Sequence, residues 1–166
     1  LELASPELRN LDSENKKAVL KLIRELSMFD GKVDLIELIV MIMVEVDTAT
    51  DSQREVKHRF KTLLQLNSQA VLIYGLLARH GNDGIETRTA AFNDTISFTG
   101  LPVCEFPQLK GLRYSQIKDA LLSLRLASAD VQNKFIAGCM RCALFDNKIN
   151  LNEYELLRMI AKIIEY

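Results

Sequence analysis

Apolar residues recur along almost the whole chain with the 3.6-residue period of an amphipathic helix, and no stretch alternates strictly as a half-buried strand does. Helix-start signals divide this pattern into segments. Ser52 with Glu55, and Asp83 with Glu86, each place a glutamate three residues after a capping side chain, which is the spacing of a capping box. The pattern therefore predicts an all-α bundle of about eight helices.

The helices follow from these starts. A first helix is predicted after a cap at Asp12 or Ser13, ending at Gly31, because glycine adopts the left-handed backbone that follows many helix ends. A second is predicted from Asp34. The others are predicted over 52–66, 68–79, 83–98, 115–126, 130–145 and 151–164. Residues 100–112 contain two prolines and two glycines, and are predicted to form the longest loop.

One segment occurs twice with a constant offset of 116 residues: MFDGKVDLIEL at 28–38 returns as LFDNKINLNEY at 144–154. Phe, Asp, Lys, Leu and Glu are identical in the two copies. Each copy lies between two apolar-periodic stretches, so each is predicted to be the elbow of a helical hairpin. We therefore expect two pseudo-symmetric hairpins related by a pseudo-twofold axis, with Phe29 and Phe145 buried.

The composition is that of an ordinary globular domain. With 166 residues, 48% of them hydrophobic and 26% charged, the chain fits one helical domain over 1–166 with a sizeable core. A net charge of −1 and the lack of basic clusters interleaved with aromatic residues argue against nucleic-acid binding. The longest apolar run, residues 38–44, is much shorter than the roughly 20 residues of a membrane span. We expect no membrane insertion by this segment.

No catalytic motif is found in the sequence, which lacks H-E-x-x-H, G-x-S-x-G and a phosphate-binding glycine loop, and whose two histidines, His58 and His80, stand apart. Cys139 and Cys142 have the C-x-x-C spacing, but they lie inside an apolar helical pattern. A redox pair needs a helix N-terminus, and a zinc site needs a second pair where only Cys104 remains. Both cysteines are therefore predicted to be buried core residues.

The two elbows carry the candidate metal ligands. Neither is an EF-hand, because Lys32 and Lys148 occupy the third loop position, where an oxygen ligand is required. The main interpretation of the acidic and amide side chains is that they cap helices. A looser divalent-cation site stays open if they converge. The candidates are Asp30, Asp34 and Glu37 at the first elbow, and Asp146, Asn150 and Glu153 at the second.

The loop after Gly100 is the candidate partner-binding surface. It presents Leu101, Val103, Phe106 and Leu109 in a segment that cannot be a regular helix, and long loops in compact domains are often functional. The alternative is that these side chains fold back as a lid over the helices. Two further apolar residues with a possible partner role, Met41 and Met43, are predicted to lie in the core.

The duplicated elbow resembles the hairpins of TerB-like helical domains. A closer resemblance is to the C-terminal region of bacterial membrane zinc metallopeptidases related to HtpX and the CAAX prenyl proteases. Residues 4–11 resemble the turn before the first long helix of that region, 29–37 its ADGRIDLFE elbow, and 146–161 its closing segment. Asn147, which replaces a glycine, and Asn150, which replaces an acidic or hydroxylated cap, depart from that pattern.

The resemblance implies a non-catalytic helical domain, with a binding or regulatory role, excised from the C-terminal end of a larger zinc metalloendopeptidase. The parent would be anchored in the inner membrane, with this domain on the cytoplasmic side. Zinc would belong to the parent's catalytic domain, and no cofactor is expected in this chain. The expected partner is that catalytic domain or another protein. The alternative is a free-standing TerB-like stress-response or signalling module with weak affinity for divalent cations.

Overall fold

A computed structural model describes residues 12, 14, 15, 18, 19, 21, 22, 35–48, 59–82, 84–149 and 151–165 of the chain. By its contacts the chain divides into two compact units, Leu1–Val56 and Lys57–Tyr166. In the described ranges all regular structure is helical, apart from one isolated parallel bridge. The all-α class is therefore confirmed there, while the single domain over 1–166 stays a prediction.

Six α-helices have both ends within the described residues, and the described residues between 14 and 22 are helical as well. They are α1 Leu35–Thr48, α2 Asn67–Gly81, α3 Ile85–Thr99, α4 Tyr114–Arg125, α5 Ala129–Ala143 and α6 Leu151–Glu165. The start of α1 and both ends of α2 to α6 lie within two residues of the predicted ones, because apolar periodicity and helix-stop residues are local features of the sequence. The count of about eight and the pseudo-twofold relation stay predictions, since the turn at residues 4–11 and the first elbow with Phe29 lie outside the described residues.

The first unit confirms two of the sequence predictions. The Asp12 carboxylate accepts the backbone N–H groups of Glu14 (3.0 Å) and Asn15 (2.8 Å), so this aspartate is an N-cap. The bond from the Asn15 N–H is the main reason why the pKa of Asp12 is lowered. Met41 and Met43 of α1 are buried, as expected of core residues. None of the helices described here is long and apolar enough to cross a membrane.

In the second unit, the helix predicted over 52–66 is wrong in its later part, where the backbone is extended. The Arg59 N–H donates to the Leu126 carbonyl (2.7 Å), and the Ser128 N–H donates to the Phe60 carbonyl (2.8 Å). Backbone groups that helices leave unpaired at their ends need other partners. In the turn after α4, these backbone groups pair with the extended segment. Hydrogen bonds between residues distant in sequence therefore override the local helical periodicity.

A short 3-10 helix, Leu63–Leu66, follows the extended segment. The Gln65 side-chain oxygen accepts the N–H groups of Lys61 (2.8 Å) and Thr62 (3.2 Å). This reach back to the preceding residues fixes where the helical conformation begins. The first part of the predicted helix, residues 52–58, lies outside the described residues.

The core of the second unit is built around α2, which packs against α3, α4 and α5, while α6 packs against α4 and α5. Large apolar side chains from all five helices meet there and are almost completely buried. The largest are Tyr74, Phe92, Phe135, Ile73, Ile117, Leu121, Leu124, Leu156 and Ile160. Since every helix contributes to one cluster, the packing fixes the position of each helix relative to its neighbours.

Two neighbouring helices approach α5 closely at Gly138. A Cβ added there would lie 2.6 Å from the Thr99 methyl carbon and 2.7 Å from Cζ of the Tyr74 ring. The Tyr74 ring stacks on Phe135 with 5.2 Å between centroids, and its hydroxyl donates to the Phe135 carbonyl at 3.2 Å. Glycine is required at this position because the aromatic ring occupies the space of a side chain.

We expect the substitution Gly138→Ala to lower the free energy of unfolding by about 1–3 kcal/mol, because overpacking must displace a rigid ring that is stacked and hydrogen-bonded. The measurement is chemical denaturation followed by circular dichroism. Asn133→Ala is the control, since Asn133 is exposed on the same helix and alanine favours helix. If the two variants were equally stable, the close approach at Gly138 would be wrong.

Candidate interaction site

The predicted cation site is only partly within the described residues. Asp30, Asp34 and Asn150 lie outside them. Glu37 is half-buried in the first turn of α1, a position where a carboxylate stabilises a helix through its dipole. The first elbow therefore stays a prediction, both as a pair of caps and as a cation site.

At the second elbow, the structure places the two described candidates in different surroundings. Asp146 is exposed, and its carboxylate accepts the Lys148 N–H at 3.0 Å, which closes the turn. Glu153 is buried in the first turn of α6, with its carboxyl group against Gly81 at the end of α2. Among the described residues, no group of three or more His, Cys, Asp or Glu side chains is placed to hold a metal ion.

Asn147 is the only described non-glycine residue with a positive φ, at 59°. Its N–H donates to the Leu144 carbonyl at 2.9 Å, so the turn after α5 closes through this left-handed residue. Asparagine tolerates the left-handed region better than most residues, and glycine adopts it at no steric cost. The glycine-to-asparagine difference between the copies at 31 and 147 is therefore physically conservative.

We expect Asn147→Ala to lower the free energy of unfolding by about 1 kcal/mol, and Asn147→Gly to leave it equal or raise it slightly. The reason is the steric cost of a Cβ in the left-handed conformation, which glycine avoids. Thermal and urea denaturation of the two variants give the measurement. Equal losses for both would show that the asparagine side chain, and not the backbone conformation, carries the effect.

The loop after α3 begins where predicted, since Gly100 ends that helix in the left-handed conformation with φ 67°. Leu101 is buried, and the Phe106 ring packs edge-on against Phe92 with 5.3 Å between centroids. The Pro107 ring lies against the backbone of Gly75, where a side chain would collide with it. These contacts favour the lid alternative for this part of the loop.

The other two loop candidates differ from each other. Leu109 is half-buried, whereas Val103 is 94% exposed and is the one predicted partner-binding residue that lies fully on the surface. A single exposed valine is common on protein surfaces and does not form a patch. The loop thus offers a partner little apolar area, although its role in binding stays a prediction.

A second candidate surface lies between α3 and α5. Phe98, Met140 and Leu144 are exposed by 54%, 49% and 40%. They line a half-open cavity of about 580 Å³ together with neighbouring residues of α5 and the second elbow. We call this cavity the elbow groove. Its lining is Phe98, Ala137, Met140, Arg141, Leu144, Phe145 and Asn147.

Phe145 contributes to the elbow groove, and the prediction that it is buried is wrong, since the structure leaves it half-exposed. The reason lies in the turn that follows α5. This helix ends at Ala143, so Phe145 is in the turn and not on the buried stripe of the helix. Its ring consequently faces the groove at the end of the bundle.

The wall of the groove carries one ion pair. Arg141 Nε and Nη2 lie 2.6 Å and 3.1 Å from the two carboxylate oxygens of Asp94, a bidentate geometry. The guanidinium carbon of the same arginine lies 5.9 Å from the centre of the Phe98 ring, within the range of a cation–π interaction. The arginine therefore bridges α5 to two residues of α3.

Two large apolar residues of the groove lie on the polar faces of their helices. In α3 the buried stripe runs through Phe92, Thr95, Ile96 and Thr99, and Phe98 lies outside it. Met140 lies outside the buried stripe of α5 in the same way. A large apolar residue on the polar face of an amphipathic helix is the feature that marks this surface.

Cys139 and Cys142 are buried, as predicted. The Cys142 thiol donates to the Tyr74 carbonyl at 3.6 Å. Burial in an apolar environment raises the pKa of Cys139 well above its ordinary value and that of Cys142 to about 12. Because the thiolate is the reactive form, this pair is unsuited to disulfide exchange near neutral pH.

We expect a thiol reagent such as DTNB at pH 8 to modify Cys104, which is half-buried, before the other two cysteines. The native protein should release about one equivalent of thionitrobenzoate and the denatured protein three. Cys104→Ser should abolish the native signal and leave two thiols after denaturation. Rapid modification of all three thiols in the folded protein would contradict the burial of Cys139 and Cys142.

No family model, curated protein or solved structure matches this chain. The functional argument therefore depends on the chain's own residues and on the surfaces that the second unit presents.

Proposed function

We propose that this chain is a non-catalytic helical binding domain that docks onto a partner protein through the elbow groove. Under this proposal, the chain originates from the C-terminal TerB-like region of a membrane zinc metalloendopeptidase. The resemblance of residues 4–11, 29–37 and 146–161 supports that origin. The geometry of the second unit supports the binding role.

The observation that carries the binding role is the exposure of Phe98, Met140 and Leu144 in one cavity. Burying a fully exposed large apolar side chain is favourable by roughly 1.5–3 kcal/mol. These three are already about half-buried, so a partner that covers the rest would gain about half of that amount from each. Exposed apolar side chains that line a common cavity are candidates for contact with a partner. A methionine and two aromatic rings also adapt well to the side chains of a partner helix.

The partner that the resemblance implies is the catalytic portion of the same polypeptide, on the cytoplasmic side of the inner membrane. Zinc would be bound there, because the H-E-x-x-H motif that holds catalytic zinc does not occur in these 166 residues. The role left for this domain is to hold, position or restrain that portion by contact. Another protein bound in the same groove would use the same apolar interaction.

The gene sequence upstream of Leu1 is the first test of the origin. An H-E-x-x-H motif after membrane-spanning segments supports the proposal, and a start codon at this point overturns the origin in favour of the free-standing module. The binding role is then tested with the purified catalytic portion, or with proteins cross-linked to this domain in cells.

We expect Phe98→Ser to weaken association with the catalytic portion at least tenfold, about 1.4 kcal/mol, because it removes an exposed apolar ring of the groove and the cation–π partner of Arg141. The melting temperature should change little, since more than half of this side chain is exposed. Isothermal titration calorimetry and thermal denaturation give the two measurements.

Val103→Ser is the matched control, since it makes the same kind of change at an apolar residue that is 94% exposed and is not part of the groove lining. The control should leave the affinity unchanged. The opposite result, in which Val103→Ser lowers the affinity and Phe98→Ser does not, would show that the interface is the loop and not the elbow groove. That result would contradict the proposal.

The alternative function, a free-standing TerB-like module with weak affinity for divalent cations, predicts a different response. Thermal denaturation with and without millimolar calcium or magnesium separates the two. A rise of many degrees that Glu37→Gln or Asp146→Asn abolishes would favour the cation-binding module.

A further inference from the structure

The methionine in the elbow groove is much more exposed to solvent than the other described methionines. Met140 is 49% exposed in the groove, whereas Met41, Met43 and Met159 are exposed by 9%, 3% and 4%. The sequence has five methionines, of which Met28 lies outside the described residues. Met140 is thus the one described methionine that a dissolved oxidant reaches without unfolding of the protein.

Methionine reacts with hydroperoxides by transfer of one oxygen atom. The sulfur lone pair attacks one peroxide oxygen, the O–O bond breaks, and water or an alcohol leaves. The sulfur is oxidised by two electrons and the peroxide is reduced by two. The product is a sulfoxide, which is polar, accepts hydrogen bonds and is returned to the thioether by methionine sulfoxide reductases.

A sulfoxide at this position would add a polar oxygen atom to the groove and so lower its affinity for apolar side chains. Met140 shares the groove with the apolar side chains of Phe98, Leu144 and Phe145, and also with the polar side chains of Arg141 and Asn147. An apolar partner side chain placed against the sulfoxide oxygen would remove that oxygen from water without offering it a hydrogen bond, which is unfavourable. Oxidation would therefore oppose docking while leaving the buried core unchanged.

We propose that Met140 is a reversible oxidation site, modified by hydroperoxides, that sets the affinity of the elbow groove for its partner. The effect on a partner depends on the proposed function, whereas the selectivity of oxidation depends only on the structure of the second unit. The two parts are tested separately.

The first test is a time course with hydrogen peroxide, followed by proteolysis and mass spectrometry of each methionine peptide. Met140 should be oxidised at least tenfold faster than Met159, Met41 and Met43 while circular dichroism shows that the helices remain folded. Equal rates for Met140 and Met159 in the folded protein would overturn the proposal, and this result would not depend on any partner.

The second test uses the apolar dye 1-anilinonaphthalene-8-sulfonate as a probe of the groove. Its fluorescence with the unmodified protein should fall at least twofold after peroxide treatment and in Met140→Gln. In Met140→Leu, peroxide treatment should not lower the fluorescence below the level that this variant shows before treatment. Loss of the signal from peroxide-treated Met140→Leu, or no signal from the unmodified protein, would overturn the role of Met140 in the groove.

If the selectivity holds, treatment with the two methionine sulfoxide reductases should restore the dye fluorescence of the oxidised protein. The last arm measures affinity for the catalytic portion before and after oxidation. Selective oxidation with restored fluorescence but no partner binding would contradict the proposed function and leave the oxidation site standing. Partner binding that is unchanged by complete oxidation of Met140 would overturn the regulatory part.

Discussion

The ring of Tyr74 and the missing side chain of Gly138 occupy complementary space, and the arrangement of the second unit depends on this contact. Because α5 has no Cβ at this point, the ring lies against the α5 backbone, stacks on Phe135 and donates to its carbonyl. The methyl group of Thr99 reaches the same position from α3. One residue of α5 thereby fixes its separation from α2 and α3, and with it the spacing of the two helices that border the elbow groove.

The end of α5 is a second constraint, and it acts on the backbone. The left-handed conformation of Asn147 reverses the chain only four residues after the end of α5 at Ala143. Leu144 and Phe145 therefore lie at the end of the bundle and not inside it. The exposure of Leu144 and Phe145 is thus a consequence of where the helix stops. Glu153 is instead carried into the interior by the helix that follows, which explains how two acidic residues of one elbow come to have different surroundings.

How far the sequence predicts this structure depends on the range of the interactions involved. Helices such as α2 and α6 were predictable because their apolar period and their ends are local properties. The extended backbone at Arg59 was not, because its hydrogen-bond partner, Leu126, is distant in sequence. The groove was not recognised either. Phe98 is as apolar as a core residue, and only the packing of α3 shows that it lies outside the buried stripe. Phe106 is an apolar loop residue, and only the tertiary structure shows that it packs on Phe92.

The ion pair between Arg141 and Asp94 illustrates how a weak interaction can still shape a binding surface. Both side chains are partly exposed, at 55% and 31%, so water screens the pair and it contributes little to stability. The bidentate geometry nevertheless restricts the guanidinium plane, and that plane lies over the Phe98 ring. An exposed aromatic ring that is held in place loses less conformational entropy when a partner covers it. The ion pair therefore contributes more to the preorganisation of the groove for binding than to the stability of the fold.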